Sequence, residues 1–510
     1  MLDLHEIELY TDIMGLHGLF EPDKLHKNYE LIDERNQIRS KIIPSLEEAV
    51  RLSGLKDGMT ISFHHHFRNG DYIVNLVLDT LARMGFKDLV VAASSLTDCH
   101  APMIEHIQSG VVRRIETSGL RGKLAQAISN GVMNAPVVFR SHGGRAYAIE
   151  TDELQIDVAF LGAPSSDAVG NANGYSRENN DKGIMCGAMG YAKCDATYAN
   201  KTIILTDHIV PYPNAPFGIP ESDVDFVVQV DAIGNAEGIM SGATRFTNNP
   251  KELLIAQLAA DVIEMSGRFE NGYSFQMGSG GASLAVAQFL REKMLRNNIK
   301  ASFALGGITG RVVDLHEEGL VHKLLDVQSF DLIASQSLKN NRYHQQISAS
   351  YYASPANSGT AVNQLDFTVL SALEVDCDFN VNVLTGSDGV IRGAIGGHPD
   401  TACGAAVSIV VVPLTRGRIP CVVQRVNTIV TPGKTVDVVV TEYGVGVNPQ
   451  RKQLRENLAK AGIPLLTIEQ LQQKAESLVG KPEPIRYLDK VVGIVAYRDN
   501  TIIDLIHQVQ

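Results

Sequence analysis

Three glycine-bearing stretches in the second half of the chain have the residue types to hold negative charge against bare backbone. Gly278, Gly280 and Gly281 open the segment QMGSGGASLAVAQFLREKMLRNNIKASFALGGITG (276 to 310), Gly306 and Gly307 stand near its end, and GAIGGH (393 to 398) adds Gly396 and Gly397. With almost no side-chain bulk, the 278–281 loop lets a ligand lie against backbone N–H groups and the first turn of a following helix. The same residues also serve turns that only need φ > 0, so one such loop is weak evidence. A second loop of this kind in the same half strengthens the ligand-binding reading.

The elements around these loops follow from periodicity. A helix is expected from Ala282 to about Asn297, with Leu284, Ala285, Ala287, Phe289 and Leu290 as its apolar stripe and Arg291, Glu292, Lys293 and Arg296 facing water. Asn297-Asn298 caps it, Ala301 to Leu305 is a short buried strand, and Gly306-Gly307 ends that strand in a turn. Earlier in the chain, strands at Met59 to Phe63, Asp88 to Ala93 and Arg113 to Glu116 alternate with a helix at Asp71 to Arg83 and another ending near Gly110. Strands separated by helices predict an α/β protein with mainly parallel sheets. Met1 to about Pro44 is charged and only fragmentarily helical, and reads as an N-terminal arm.

Sliding the sequence along itself shows a repeat. IDVAFLGAPSSDAVGNAN (156 to 173) aligns without gaps to LDFTVLSALEVDCDFNVN (365 to 382), pairing Asp157 with Asp366, Asp167 with Asp376, and Asn171 and Asn173 with Asn380 and Asn382. Gly110 meets Gly319 at the same offset. Shared apolar positions are common to all strands; shared Asp and Asn residues are not. Two tandem related domains are therefore expected, 45–240 and 241–510. Their loops differ: where the second half has Gly278 to Gly281, the first has His64-His65-His66-Phe67-Arg68-Asn69-Gly70. This asymmetry predicts one active site, built mainly on the second half. Adjacent histidines at a strand end point alternately, so the three cannot share one ion, and no metal site is expected.

Composition bounds the function. The 510 residues are 44% hydrophobic with a net charge of -12 and no basic run, so nucleic-acid binding has no support. The six cysteines are scattered without a CxxC pair and read as reduced. No signal-peptide pattern opens the chain, and no apolar run reaches the roughly 18 residues of a membrane span, so no membrane association and a cytoplasmic location are expected.

The paired halves, the GSGG loop, SALEVD (371 to 376), the GAIGGH loop and TEYG (441 to 444) resemble the coenzyme A transferase superfamily. SFHHHFRNGD (62 to 71), SSLTDCHAP (94 to 102), SGATRFTNNPKELLIA (241 to 256), FALGGIT (303 to 309) and LTGSDGVIRGAIGGH (384 to 398) are similar to the citrate lyase α-chain family. That resemblance implies transfer of a carrier thioester from acetate to citrate. The implied partners are citrate, an acetyl thioester, and the β chain and γ (acyl carrier) chain of an oligomeric complex. The resemblance further implies no permanently bound cofactor and a thioester on the carrier's phosphoribosyl dephospho-coenzyme A arm or on coenzyme A.

Relatives that form a glutamyl thioester carry the nucleophile on the strand after the glycine-loop helix, and here 299–305 has no carboxylate. Citrate is then expected to attack the acetyl thioester itself, through a citric acetic anhydride, with Gly278, Gly280, Gly281, Gly306, Gly307, Gly396 and Gly397 as candidate oxyanion or thioester donors. Glu374 is the candidate catalytic carboxylate, in a positioning role. A trianion on an acidic protein needs fixed cations, and Arg245, Arg68, Arg121, Arg392 and His398 are the candidate citrate ligands, with Arg245 first. The alternatives are a coenzyme A transferase or acyl-CoA hydrolase for another acid, and a non-catalytic ligand sensor.

Overall fold

The computed structural model describes residues 40–176, 185–240 and 247–510. Residues 1–39, most of the expected arm, and 241–246, which include Arg245, lie outside the described residues. Ile42–Gln510 form one compact unit.

Among the described residues two large sheets stand out. The first has ten strands in the order Ile42–Ile43, Phe226–Gln229, Lys201–Thr206, Val158–Gly162, Thr60–Phe63, Leu89–Ala93, Val112–Thr117, Val137–Phe139, Tyr487–Ala496 and Ile502–Val509. The second has nine, in the order His344–Gln346, Val321–Ser329, Ala301–Ile308, Ser274–Met277, Phe367–Ser371, Val407–Val411, Val438–Thr441, Gly444–Val447 and Leu465–Leu466. Pairing is parallel except at the hairpins Tyr487–Ala496/Ile502–Val509 and Val438–Thr441/Gly444–Val447. The inner strands of both sheets, such as Leu89–Ala93, Val158–Gly162 and Val407–Val411, are largely apolar runs buried along their whole length, as strands covered on both faces must be. The C-terminal hairpin extends the first sheet, pairing Gly493 with Val137, although it follows the second sheet in sequence. Ile42 pairs with Val227, so the sheet begins inside the segment read as an arm.

The repeat has a structural reason. Asp157 Oδ2 accepts from the N–H of Thr60 at 2.8 Å, and Asp366 Oδ2 from that of Ser274 at 2.9 Å. Each aspartate ties the start of its central strand to its neighbour. Asp167 Oδ1 accepts from Gly170 and Asn171, and Asp376 Oδ1 from Asp378 and Asn380, so both close the tight turn after the next strand. Thr60–Phe63 and Ser274–Met277 thus hold equivalent places, and the loops 64–70 and 278–281 leave equivalent strand ends.

Two local expectations need correction. Gly306 and Gly307 do not end a strand: Ala301–Ile308 runs through them, with a register shift between the two where it pairs with Val321–Ser329. Lys293 does not face water. It is buried between Asp261 (2.5 Å) and Glu264 (2.8 Å), pinning helix Gly281–Asn297 to helix Pro250–Met265. Asn298, at φ 53°, does end the former helix.

Candidate active site

In parallel α/β sheets ligands collect beyond the carboxyl ends of the strands, and there the loops of the two sheets meet. Loop 393–398 is stitched to the first sheet by three backbone bonds: Leu120 N–H to Gly393 O at 3.0 Å, Ile395 N–H to Ser118 O at 2.7 Å, and His142 N–H to Gly396 O at 2.9 Å. Gln328 Nε2 donates to His65 O at 3.2 Å, and the Arg68 guanidinium lies 4.2 Å over the Phe330 ring.

The glycines serve different needs. Gly396 has φ +57°, and the space a side chain would enter is open except for His142 Cε1 at 3.8 Å. Backbone conformation requires that glycine, and the space beside it is bordered by His142. Gly306, at φ +101°, is also packed against the Gln276 side chain. Gly280, Gly307 and Gly397 are sites of close approach, where a Cβ would overlap Ser371, Phe330 and the Tyr352 hydroxyl respectively. Gly281 begins helix Gly281–Asn297, whose N-cap, Gly280, offers no side-chain bond. The first N–H groups of a helix have no intrahelical acceptor, so this end presents donors and partial positive charge. Gly278 is already committed through its N–H to Val369 O at 2.7 Å, which removes it from the candidate donors.

These loops form one connected set. Ser283 Oγ lies 3.0 Å from Ser371 Oγ, and the Ser371 carbonyl accepts from His398 Nε2 at 3.2 Å. Because a carbonyl only accepts, His398 Nε2 holds the ring proton, and Nδ1 accepts from Thr431 Oγ1 at 2.7 Å. Burial keeps His398 neutral, its pKa down at about 4. Both nitrogens are spent, so His398 braces the loop and has no donor left for citrate. Tyr352, whose hydroxyl backs Gly397, bonds Gln276, which in turn packs on Gly306.

Of the expected arginines, two converge. Arg68 and Arg121 are both half-buried, and burial together with the Arg121 charge brings the Arg68 pKa down to about 10, with Tyr191 and Asp331 opposing. Two guanidinium groups that oppose each other's charge in a half-buried place are relieved by a neighbouring anion. Arg68 is also a non-glycine residue at φ 51°, an outlier its surroundings must enforce. Arg392 is not part of this pair; it is bonded to Asp388 on an exposed turn.

Glu374 is buried and its oxygens accept from Asn382 Nδ2 at 3.0 Å, Asn427 N–H at 3.2 Å and Asn427 Nδ2 at 3.3 Å. Burial raises its pKa. The carboxylate ties together the two turns that carry Asn382 and Asn427.

The histidine run divides by face. His64 Nε2 bonds Gly162 O at 3.0 Å and its ring lies 3.9 Å from that of His66, whose two nitrogens meet no hydrogen-bond partner among the described residues. His65 points the other way, toward the site, bonding Ser94 Oγ at 2.5 Å and stacking on Tyr191 at 5.3 Å. Tyr191 and His142, absent from the sequence-derived candidates, stand at the centre. The signal for His142 was SHGG (141 to 144), where Ser141 caps a helix directly after a strand. Tyr191 had no sequence signal, since it enters from the start of helix Gly190–Tyr198, far along the chain.

A family model described as "Citrate lyase, alpha subunit (CitF)" matches residues 39–509. The citrate lyase alpha chain of Klebsiella pneumoniae is 56% identical over 480 residues, 94% of each chain. That of Escherichia coli (strain K12) is 56% identical over 470 residues, 92% of this chain and 91% of the relative. A crystal structure of a citrate lyase alpha subunit in complex with citrate, from Streptococcus mutans, superposes with a TM-score of 0.89 at 57% identity over 92% of both chains. A Pseudomonas malonate decarboxylase hetero-tetramer in complex with malonate shares the fold, with a TM-score of 0.64 at 16% identity over 90% of this chain and 91% of that one.

Proposed function

The chain belongs to the citrate lyase alpha subunit family, and from that premise we propose that it is a coenzyme A transferase-type enzyme acting by way of a citric acetic anhydride. A citrate carboxylate oxygen attacks the acetyl thioester carbonyl, the C–S bond breaks, and the thiolate leaves. That thiolate then attacks the citryl carbonyl of the anhydride, the C–O bond breaks, and acetate leaves. Arg68 and Arg121, with Arg245, hold citrate. The N–H groups at Gly281 and at Gly396 and Gly397 face the oxyanions, and the desolvated arrangement of both acyl groups can supply roughly 7 to 11 kcal/mol of the barrier. The thioester arm is a substrate carried by the γ chain, or coenzyme A itself; the chain holds no permanent cofactor. It works in the cytoplasm beside the β and γ chains, with 45–240 and 241–510 as its related halves, the second lending its C-terminal hairpin to the first sheet.

The observation that carries this reading is the state of the carboxylates. Strand Ala301–Ile308, after the glycine-loop helix, has none, and Glu374 is engaged by Asn382 and Asn427. Incubating the protein with acetyl thioester alone should leave its mass unchanged, and acetate release should require citrate. A mass adduct on Glu374 would overturn the anhydride route, and Glu374→Gln should retain partial activity.

A further inference from the structure

Hydrogen-bond directions around His142 follow from chemistry. Ser118 Oγ lies 2.5 Å from the Ser94 carbonyl oxygen, which can only accept, so the single serine proton is committed there. Ser118 must then accept from His142 Nε2, 3.3 Å away, and that nitrogen carries the ring proton. His142 is neutral, since burial and the charges of Arg145 and Arg68 hold its pKa down at about 3. Its Nδ1 has only a lone pair, and Tyr191 Oη, 2.5 Å away, donates to it. The tyrosine proton is thereby spent. To any further neighbour Tyr191 offers lone pairs alone.

The oxygen is well placed to use them. The imidazole that receives its proton borders the open space above Gly396 through Cε1, the atom bonded to Nδ1. The tyrosine ring stacks on His65 at 5.3 Å and lies 4.4 Å from the His142 ring, so it sits among the side chains that line this end of the sheet. Arg68, Arg121 and the glycine-loop N–H groups all donate, which suits carboxylates. Citrate has three carboxylates, which only accept, and one hydroxyl, which also donates.

We propose that Tyr191 is a specificity-determining residue whose oxygen, fixed as an acceptor through His142 and Ser118, receives the hydroxyl hydrogen of citrate. The proposal rests on the reading of this site as the citrate site. A tricarboxylate without the hydroxyl would leave the lone pairs of that buried oxygen without the donor citrate supplies, the situation in which binding sites discriminate strongly.

Calorimetric titration of the full-length chain with citrate and with tricarballylate, the same tricarboxylate bearing hydrogen in place of the hydroxyl, tests it. The parent should bind citrate at least about tenfold more tightly than tricarballylate. In Tyr191→Phe the ratio should collapse toward one because citrate affinity falls and tricarballylate affinity does not. Ser118→Ala, which frees His142 to change tautomer without touching the ligand, should lower the ratio by a smaller factor. An unchanged ratio in Tyr191→Phe, or equal weakening of both ligands, overturns the proposal while leaving the citrate site standing. No citrate binding by the parent would sink both.

Discussion

Two loops leave equivalent strands and have opposite characters. The loop at 278–281 is bare backbone ahead of an uncapped helix, while the loop at 64–70 is packed with three histidines, a buried phenylalanine and Arg68. The first can present dipoles and exclude bulk; the second can present a full positive charge and a shaped wall. In the proposed function the first loop supplies partial charges and the second a cation, two roles that neither loop combines.

The strongest way to break this contrast is to fill bare backbone, first in the neighbouring loop 393–398 and then in 278–281. Gly396→Val combines a β-branched side chain with φ +57° and intrudes on the open space. If the loop donates to an oxyanion, turnover should fall on the order of 10²- to 10³-fold in a folded variant. Gly281→Val tests the helix end by a different route, because a Cβ there would meet Glu252 Oε2 at 2.6 Å. Near-normal turnover in both would remove these loops from the chemistry.

Emptying the filled loop should have a different signature. Arg68→Ala should raise the citrate KM by roughly ten- to a hundredfold, the loss expected for one charge-assisted interaction. A fall in kcat alone, with KM unchanged, would contradict a role in binding citrate.

Acid should strike the two loops unequally. His64 has its pKa lowered from 6.5 to about 4 by burial, and His65 and His66 are held well below 6.5 mainly for the same reason. These groups bind fewer protons folded than unfolded, so their contribution is intact above pH 6.5 and is lost as pH falls toward 4. Tm should drop across that window. His66→Phe, which removes two ring nitrogens that have no partner among the described residues, should flatten the drop, and an unchanged slope would show that His66 does not titrate there. The bare loop, with no ionisable side chain, contributes nothing to this slope.

The smallest effect is expected behind the bare loop. Lys293→Met removes the pin between helices Gly281–Asn297 and Pro250–Met265 but leaves Glu264 bonded to Arg296 and Asn297. It should cost about 1 to 2 kcal/mol of stability, seen in thermal melts. Activity should stay within about twofold, unless the helix end depends on that pin.

Much of this was written in local sequence. Alternating apolar segments fixed the α/β class because a strand buried on both faces must be apolar throughout, and the Asp and Asn of the repeat marked turns whose hydrogen bonds are local. The glycine loops were legible because missing side chains are visible in any sequence. What each glycine was for was not legible: Gly396 needs its backbone conformation, whereas Gly280 and Gly397 give way to Ser371 and Tyr352 from distant segments.

The fate of the polar candidates was likewise a tertiary matter. Local sequence gives residue type and strand phase, but whether a donor is free depends on what the fold brings against it. His398 lost both nitrogens to Thr431 and Ser371, and Arg392 its charge to Asp388, while Arg68 and Arg121 came together across more than fifty residues of chain. His142 and Tyr191 meet only because two helices start at the same edge of the sheet, so the direction of their hydrogen bond is set by packing that no local pattern encodes.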